Sequence, residues 1–413
     1  MDRGNGPEQE NYDFLQEVIK EEKMSIGKIL LKFCKLLAIG LIVGLAACVG
    51  FFALKPWAEK AFPSNSEKVE ISEEPEEPEE VVAQKEKTPV EVKHEISDYR
   101  ELQIAFNDVI KEAQKKVVYV KGIEQGQSWN TAEVIEKTGV IVGDNGRELL
   151  VLSTYSDMKN MQLFRVEFVD ESTHEAVLKQ KDVSNNLAVF SIAKDDLHKD
   201  TKEKVAVASL ANTNLTGQGE LMFAVGSPFG YKNSIATGIT SATKERVLRA
   251  DSELRLIVAD IVGNKDSNAI LFNSFGNVLG IVDTNLMKEA GASPLVAVGI
   301  SQIKEEIEMM TNGKNVPYIG IIGEMITEEV AELENVPQGL FVKEVEVDSP
   351  AMAAGIQRGD ILTEIAGEDI YSLNTYHNVM MDQEAGQAVR IKGQRSGLEN
   401  YVDIKFTVTV GVR

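Results

Sequence analysis

Cysteine is nearly missing from this chain. Of 413 residues only Cys34 and Cys48 are cysteine, and both lie in or beside one apolar run near the N-terminus. A disulfide framework, a Cys-based metal site and a cysteine nucleophile are therefore excluded for everything that follows. Histidine is almost as scarce, at four residues, His94, His174, His198 and His377, so few groups can move a proton near neutral pH. Positive charge is in deficit as well: 43 Lys and Arg stand against 65 Asp and Glu, a formal charge of −22. Phosphate backbones need a basic face, so this balance argues against nucleic acid as a partner. No motif calls for a metal or any other cofactor.

The chain has one long apolar run. Leu36 to Leu54, LLAIGLIVGLAACVGFFAL, carries no charge, and at helical rise it is long enough to cross a bilayer. Lys20, Lys23, Lys28, Lys32 and Lys35 crowd its N-terminal flank, against Lys55 and Lys60 beyond it. The positive-inside rule then expects a single-pass anchor with residues 1–35 in the cytoplasm and the rest outside the cell membrane. Gly40 and Gly44 form a G-x-x-x-G pair that would let two such helices pack closely. Residues 55–97 follow with repeated Glu-Glu-Pro, a like-charged segment without the apolar content for a core, read as an extended spacer.

From residue 98 to 312 the pattern changes. Short β-type runs, among them VVYVKGI, GVIVG, LLVLS, NLAVFSI, ELMFAVG and VLGIVDT, are separated by Gly, Asn and Asp turn signals. That spacing predicts an antiparallel barrel or sandwich. SDYRELQIAFNDVIKEAQKK before it and SQIKEEIEMMTNG after it have helical period, the second ended by Asn312 and Gly313.

Three of these segments, Thr138 to Met158, Asn185 to Ile192 and Ala259 to Ile281, joined by VGSPFGYKNSIATGITSA, resemble in order and spacing the active-site segments of HtrA/DegP-type trypsin-like serine proteases. The resemblance implies a trypsin-like double β-barrel, the first barrel reaching about Asp195 and the second running from about Val205 to Ser301. Carried over position by position, the family's general-base histidine falls on Ser156, its orienting aspartate on Asn186 and its nucleophile on Ser267. Glycines that shape the family's oxyanion loop fall on Lys265, Asn268 and Ala269.

These differences are chemically severe. A serine attacks a peptide carbonyl only when a base takes its proton and an acceptor holds that base in the right tautomer. Ser156 is no base at neutral pH, and the amide of Asn186 carries no charge. A side chain at Lys265 disfavours the positive-φ conformations open to glycine, so the oxyanion loop is expected to be reshaped. The chain therefore reads as a proteolytically silent homologue. The alternative is a serine endopeptidase using Ser267 with an unrecognised base, such as Lys265 in a Ser–Lys pair, the histidines being read as surface or hairpin residues.

Residues 316–413 resemble the PDZ domain fused to those proteases. The segment carries Tyr318-Ile319-Gly320-Ile321, a helix start at Asp348-Ser349-Pro350-Ala351 and Gly355 to Asp360 before a strand. In a PDZ domain, backbone N–H groups at the glycine-containing loop form a nest for a peptide's terminal carboxylate, and the next strand offers its edge. The expected binding residues are Tyr318, Ile319, Gly320 and Ile321, with Tyr376, Val379 and Met380 on the helix forming the far wall. Expected partners are C-terminal or exposed peptide segments of envelope proteins, with a groove filled internally or by the first domain as the bland alternative. Many members of the family are trimers, which makes a homo-oligomer an expectation from resemblance. A third reading is a structural envelope or spore-assembly scaffold.

Overall fold

The structure, a computed structural model, describes residues 96–124, 134–287, 293–398 and 400–413. The expected membrane anchor, its cytoplasmic flank, His94 and almost all of the acidic spacer lie outside the described residues. Among the described residues no helix is long and apolar enough to cross a membrane.

After a helix over Ile96–Gln114 come β1 (Val117–Ile123), β2 (Val134–Asp144), β3 (Glu148–Thr154), β4 (Leu163–Glu167), β5 (Thr173–Asp182) and β6 (Leu187–Ala193). They close an antiparallel barrel in the order β1-β2-β3-β6-β5-β4. The run Leu149-Leu150-Val151-Leu152 in β3 shows why its pattern is continuous rather than alternating. Leu149 and Val151 belong to the barrel interior with Val120, Val166 and Phe190. Leu150 and Leu152 face a second core shared with the first helix and the next barrel.

The second barrel comprises β7 (Leu221–Ser227), β8 (Ser234–Ala242), β9 (Arg246–Arg249), β10 (Ser252–Gly263), β11 (Asn268–Asn273), β12 (Val278–Val282) and β13 (Ser293–Gly299). Its sheet runs β13-β12-β11-β7-β8-β10-β9, and an additional β13–β10 pairing brings the ends together. Phe223 and Phe272 stack at 5.3 Å, and Phe106 of the first helix meets Phe223 edge-on at 5.5 Å. These rings tie the helix to the second barrel. The result is the double β-barrel expected from the sequence.

A helix over Lys304–Thr311 leads to the C-terminal domain, built from β14 (Pro317–Tyr318), β15 (Ile321–Ile326), β16 (Gly339–Val345), β17 (Ile361–Ile365), β18 (Glu368–Asp369), β19 (Ala388–Ser396), β20 (Tyr401–Thr409) and β21 (Gly411–Val412). The main sheet runs β15-β16-β17-β19-β20, and β14 pairs with β21. The helix Leu373–Met381 starts where Ser372 Oγ accepts from the Thr375 N–H at 3.0 Å, an N-cap that satisfies one orphan donor.

Arg413 fastens this domain to the barrels. Its fully buried side chain donates from Nη1 to Asp182 Oδ2 of β5 at 3.2 Å and from Nη2 to the Asp251 carbonyl at 2.8 Å. Glu306 Oε1, also buried, lies 3.6 Å from Nη1. Neither Glu306 carboxylate oxygen has a hydrogen-bond partner, and burial raises its pKa above 4.5 against the opposing charges of His377 and Arg413. Arg413→Ala would remove the buried cation beside Glu306 and Asp182, leaving Asp182 only its hydrogen bonds from Asn185. It should destabilise the protein by about 3–5 kcal/mol, read from the urea midpoint.

His377 adds a pH dependence. Burial alone would lower its pKa, but a hydrogen bond to Glu305 and the charges of Glu306 and Glu305 outweigh burial and raise it above 6.5, with Arg413 opposing. A raised folded-state pKa gives stability that is complete below pH 6.5 and lost as pH climbs through the folded value. The unfolding midpoint should therefore fall with rising pH above 6.5. In His377→Gln that slope should flatten, as a denaturation series across this range would show.

Candidate functional site

Asn186 sits in the turn between β5 and β6 with φ +57°, a left-handed conformation that Asn tolerates better than most residues. From there its Oδ1 accepts the N–H groups of Tyr155 at 3.0 Å and Ser156 at 2.6 Å. The amide therefore braces the backbone at the start of the short 3-10 turn Ser156–Met158. Ser156 Oγ accepts from Asn285 Nδ2 of the second barrel at 3.3 Å. The structure thus brings Ser156 and Asn186 together, in contacts that hold backbone and bridge the barrels.

Ser267 is 1% exposed. Its Oγ donates to the Pro228 carbonyl at 2.7 Å and accepts from the Asn264 N–H at 2.8 Å. The Ser267 N–H, a donor of the kind an oxyanion hole uses, is directed to the Asn264 carbonyl at 3.0 Å. The hydroxyl proton is thus held by a carbonyl and not by a base. Lys265 does not complete a Ser–Lys pair: its side chain is 77% exposed, and its ammonium lies 3.6 Å from Asp266 Oδ1. Nor do the described histidines approach Ser267 in their contacts. His174 meets Phe168 and His198 edge-on, and His377 lies 3.4 Å from Glu305.

Where the family has a glycine, Asn268 uses its side chain as a strut. Its Oδ1 accepts from Thr138 Oγ1 at 2.5 Å and from the Thr138 N–H at 2.8 Å, across to β2 of the first barrel. Thr138 Oγ1 also lies 3.0 Å from the Asn268 carbonyl. The two halves of the double barrel are therefore stitched by Asn268–Thr138 and Asn285–Ser156.

The expected PDZ nest is present, and it is filled. Gly320 has φ +87°, and a Cβ there would lie 2.4 Å from Ser349 Cβ, so only glycine fits. The N–H groups of Ile319 and Gly320 donate to Asp251 Oδ2, each at 2.7 Å, and that of Ile321 donates to Oδ1 at 3.0 Å. Tyr376 Oη donates to Oδ1 at 2.6 Å. Burial, with the Asp251 charge and hydrogen bond, pushes the Tyr376 pKa far up, so the phenol stays a donor. Tyr318 turns away and pairs with Glu346. Val379 and Met380 are buried in the domain's core with Ile319 and Ile321, not open to a groove as read from the sequence. Asp251 and Arg413 were both missed in that reading. The hairpin tip Arg249-Ala250-Asp251-Ser252 carries a turn signal but nothing that points to a nest 68 residues further on. Among the described residues no cluster of three or more His, Cys, Asp or Glu side chains could hold a metal ion.

Comparison with known proteins fits this geometry. Residues 137–281 match the family model of the trypsin-like peptidase domain, and residues 341–395 that of the PDZ domain. The chain is a trypsin-fold protein with a C-terminal PDZ domain. Its homologues are the DegP/HtrA serine proteases. A probable periplasmic serine endoprotease DegP-like of Pseudomonas savastanoi pv. phaseolicola is 29% identical over 256 residues, 60% of this chain and 50% of that protein. Serine protease HTRA1 of Xenopus laevis is 28% identical over 292 residues, 66% and 59% of the two chains. The chain thus spans between half and three-fifths of these relatives' length. Among solved structures, the HtrA-type protease AlgW with decapeptide superposes with a TM-score of 0.52 at 21% identity, covering 75% of this chain and 98% of that one.

If Ser267 is a structural residue, its removal should cost stability. Ser267→Ala leaves the Pro228 carbonyl and the Asn264 N–H without their buried partner, and should destabilise by about 1–3 kcal/mol in chemical unfolding. A substitution with no cost would mean that the hydroxyl is not bonded as described.

Proposed function

We propose that this HtrA-like chain is a proteolytically silent, membrane-anchored member that works by binding peptide segments through its PDZ domain on the outer side of the membrane. The observation that carries the loss of proteolysis is the hydroxyl of Ser267. It is buried and donates to the Pro228 carbonyl, while the positions of base and orienter are Ser156 and Asn186. Without a base within the chain's own site, the several orders of magnitude that a triad contributes are missing. Membrane anchoring rests on Leu36 to Leu54 and the lysine asymmetry around it, and an extracytoplasmic setting is consistent with the periplasmic relatives. Peptide binding is supported by the convergence of the Ile319 to Ile321 N–H groups on one carboxylate, which in this structure is that of Asp251, and by the peptide-bound AlgW structures.

The purified chain should neither hydrolyse unfolded casein nor label at Ser267 with a fluorophosphonate probe. Restoring the missing pair with Ser156→His and Asn186→Asp should also fail, because Ser267 Oγ and N–H remain committed inside the Asn264–Ser267 turn. Probe labelling of the native chain that disappears in Ser267→Ala would establish an active endopeptidase and overturn this reading.

A further inference from the structure

The carboxylate nest of the PDZ domain is filled by the protein itself. Asp251 is fully buried, and its two carboxylate oxygens take four donors, three of them the consecutive N–H groups that would hold a peptide terminus. The imitation extends to the backbone. The Asp251 N–H donates to the Ile321 carbonyl at 2.7 Å, the bond that the last residue of a peptide would make on adding to the edge of β15. Asp251 reaches this position at the tip of the β9–β10 hairpin, where Arg249 and Ser252 are paired and its own φ is +57°.

We infer that Asp251 is a built-in ligand of the PDZ nest, so that an external peptide with a free C-terminal carboxylate binds only by displacing the β9–β10 hairpin. This rests on the reading of the nest as a carboxylate-binding site. Displacing the hairpin also breaks the Arg413 bond to the Asp251 carbonyl, but the rest of the hairpin's surroundings on this side are polar. Beyond Asp251, between the hairpin and the helix Leu373–Met381, lies a polar cavity of about 330 Å³ lined by Arg246, Glu253, Arg255, Asn374 and Asn378 among others. The hairpin is therefore not sealed against that helix by a continuous apolar contact. The peptide's apparent affinity is reduced by the fraction of molecules in which the nest is free.

The test uses the 413-residue chain and a fluorescein-labelled peptide ending in a free-carboxylate valine, with its amidated form as control. Asp251→Gly is the informative variant, because glycine accepts the positive φ while deleting the carboxylate. It should bind the free-carboxylate peptide at least tenfold more tightly than the native chain, with little gain for the amidated form. Asp251→Asn, which keeps the turn but not the charge, should give a smaller gain. Amide exchange at Ile319 to Ile321 reports the internal contact without any peptide and should be faster in Asp251→Gly. Unchanged exchange there, or equal peptide affinity in native and variant chains, overturns the inference while leaving peptide binding intact. Faster exchange with no peptide bound by any variant overturns peptide binding itself, and with it the competition, leaving Asp251 as the nest's sole ligand.

Discussion

A carboxylate stripped of water must be met by donors from the protein, and the arrangement of barrels and PDZ domain here follows from how Asp251 meets that requirement. An ionised group buried without partners is among the costliest features a fold can carry. Asp251 finds its donors in another domain, in the consecutive N–H groups of Ile319, Gly320 and Ile321 and in the phenol of Tyr376. Neither side is satisfied alone: the nest has three N–H groups aimed at one point, and the hairpin tip has a charge. Arg413 bonds the carbonyl of the same aspartate and carries the network on to Asp182 and Glu306. Domain orientation is thereby set by a chain of buried polar contacts, where each is electrostatically stronger than at the surface.

The positions that align with the family's catalytic residues, and the amide side chains around them, make structural contacts. Asn186 holds two backbone N–H groups, Asn268 crosses to Thr138, and Asn285 crosses to Ser156. Each uses an amide, which can accept or donate without charge and so can be placed between the barrels at lower desolvation cost than a carboxylate. Through these amides the two barrels are joined at Asn268–Thr138 and at Asn285–Ser156.

Much of this was legible from local pattern. The alternating and continuous apolar runs of β3 to β6 announced an all-β domain, and the resemblance of ordered motifs resolved it into two barrels and a PDZ domain. The Ile319-Gly320-Ile321 nest was also legible, because a glycine with positive φ is a local requirement. What fills the nest was not, since Asp251 and Ile319 are joined only by the tertiary fold, and no periodicity in LRADSELR distinguishes this turn from any exposed hairpin. Likewise the residue at 267 could be named as serine, but the direction of its hydroxyl depends on the Pro228 carbonyl, 39 residues away. Tyr376, Val379 and Met380 have the i, i+3, i+4 spacing of one helix face, and spacing does not say whether that face lines a groove or closes a core.

The two-residue turn at Ala250 and Asp251 also constrains how this protein can vary. Hairpin tips are ordinarily where a chain best tolerates an inserted residue, because nothing beyond the tip depends on them. Here Ala250 and Asp251 are both buried. An added residue would change the turn that holds Asp251 at φ +57° and shift its carboxylate from the three N–H groups it accepts. Loop length, which drifts freely on most protein surfaces, is therefore as strictly limited at this tip as side-chain volume is in a hydrophobic core.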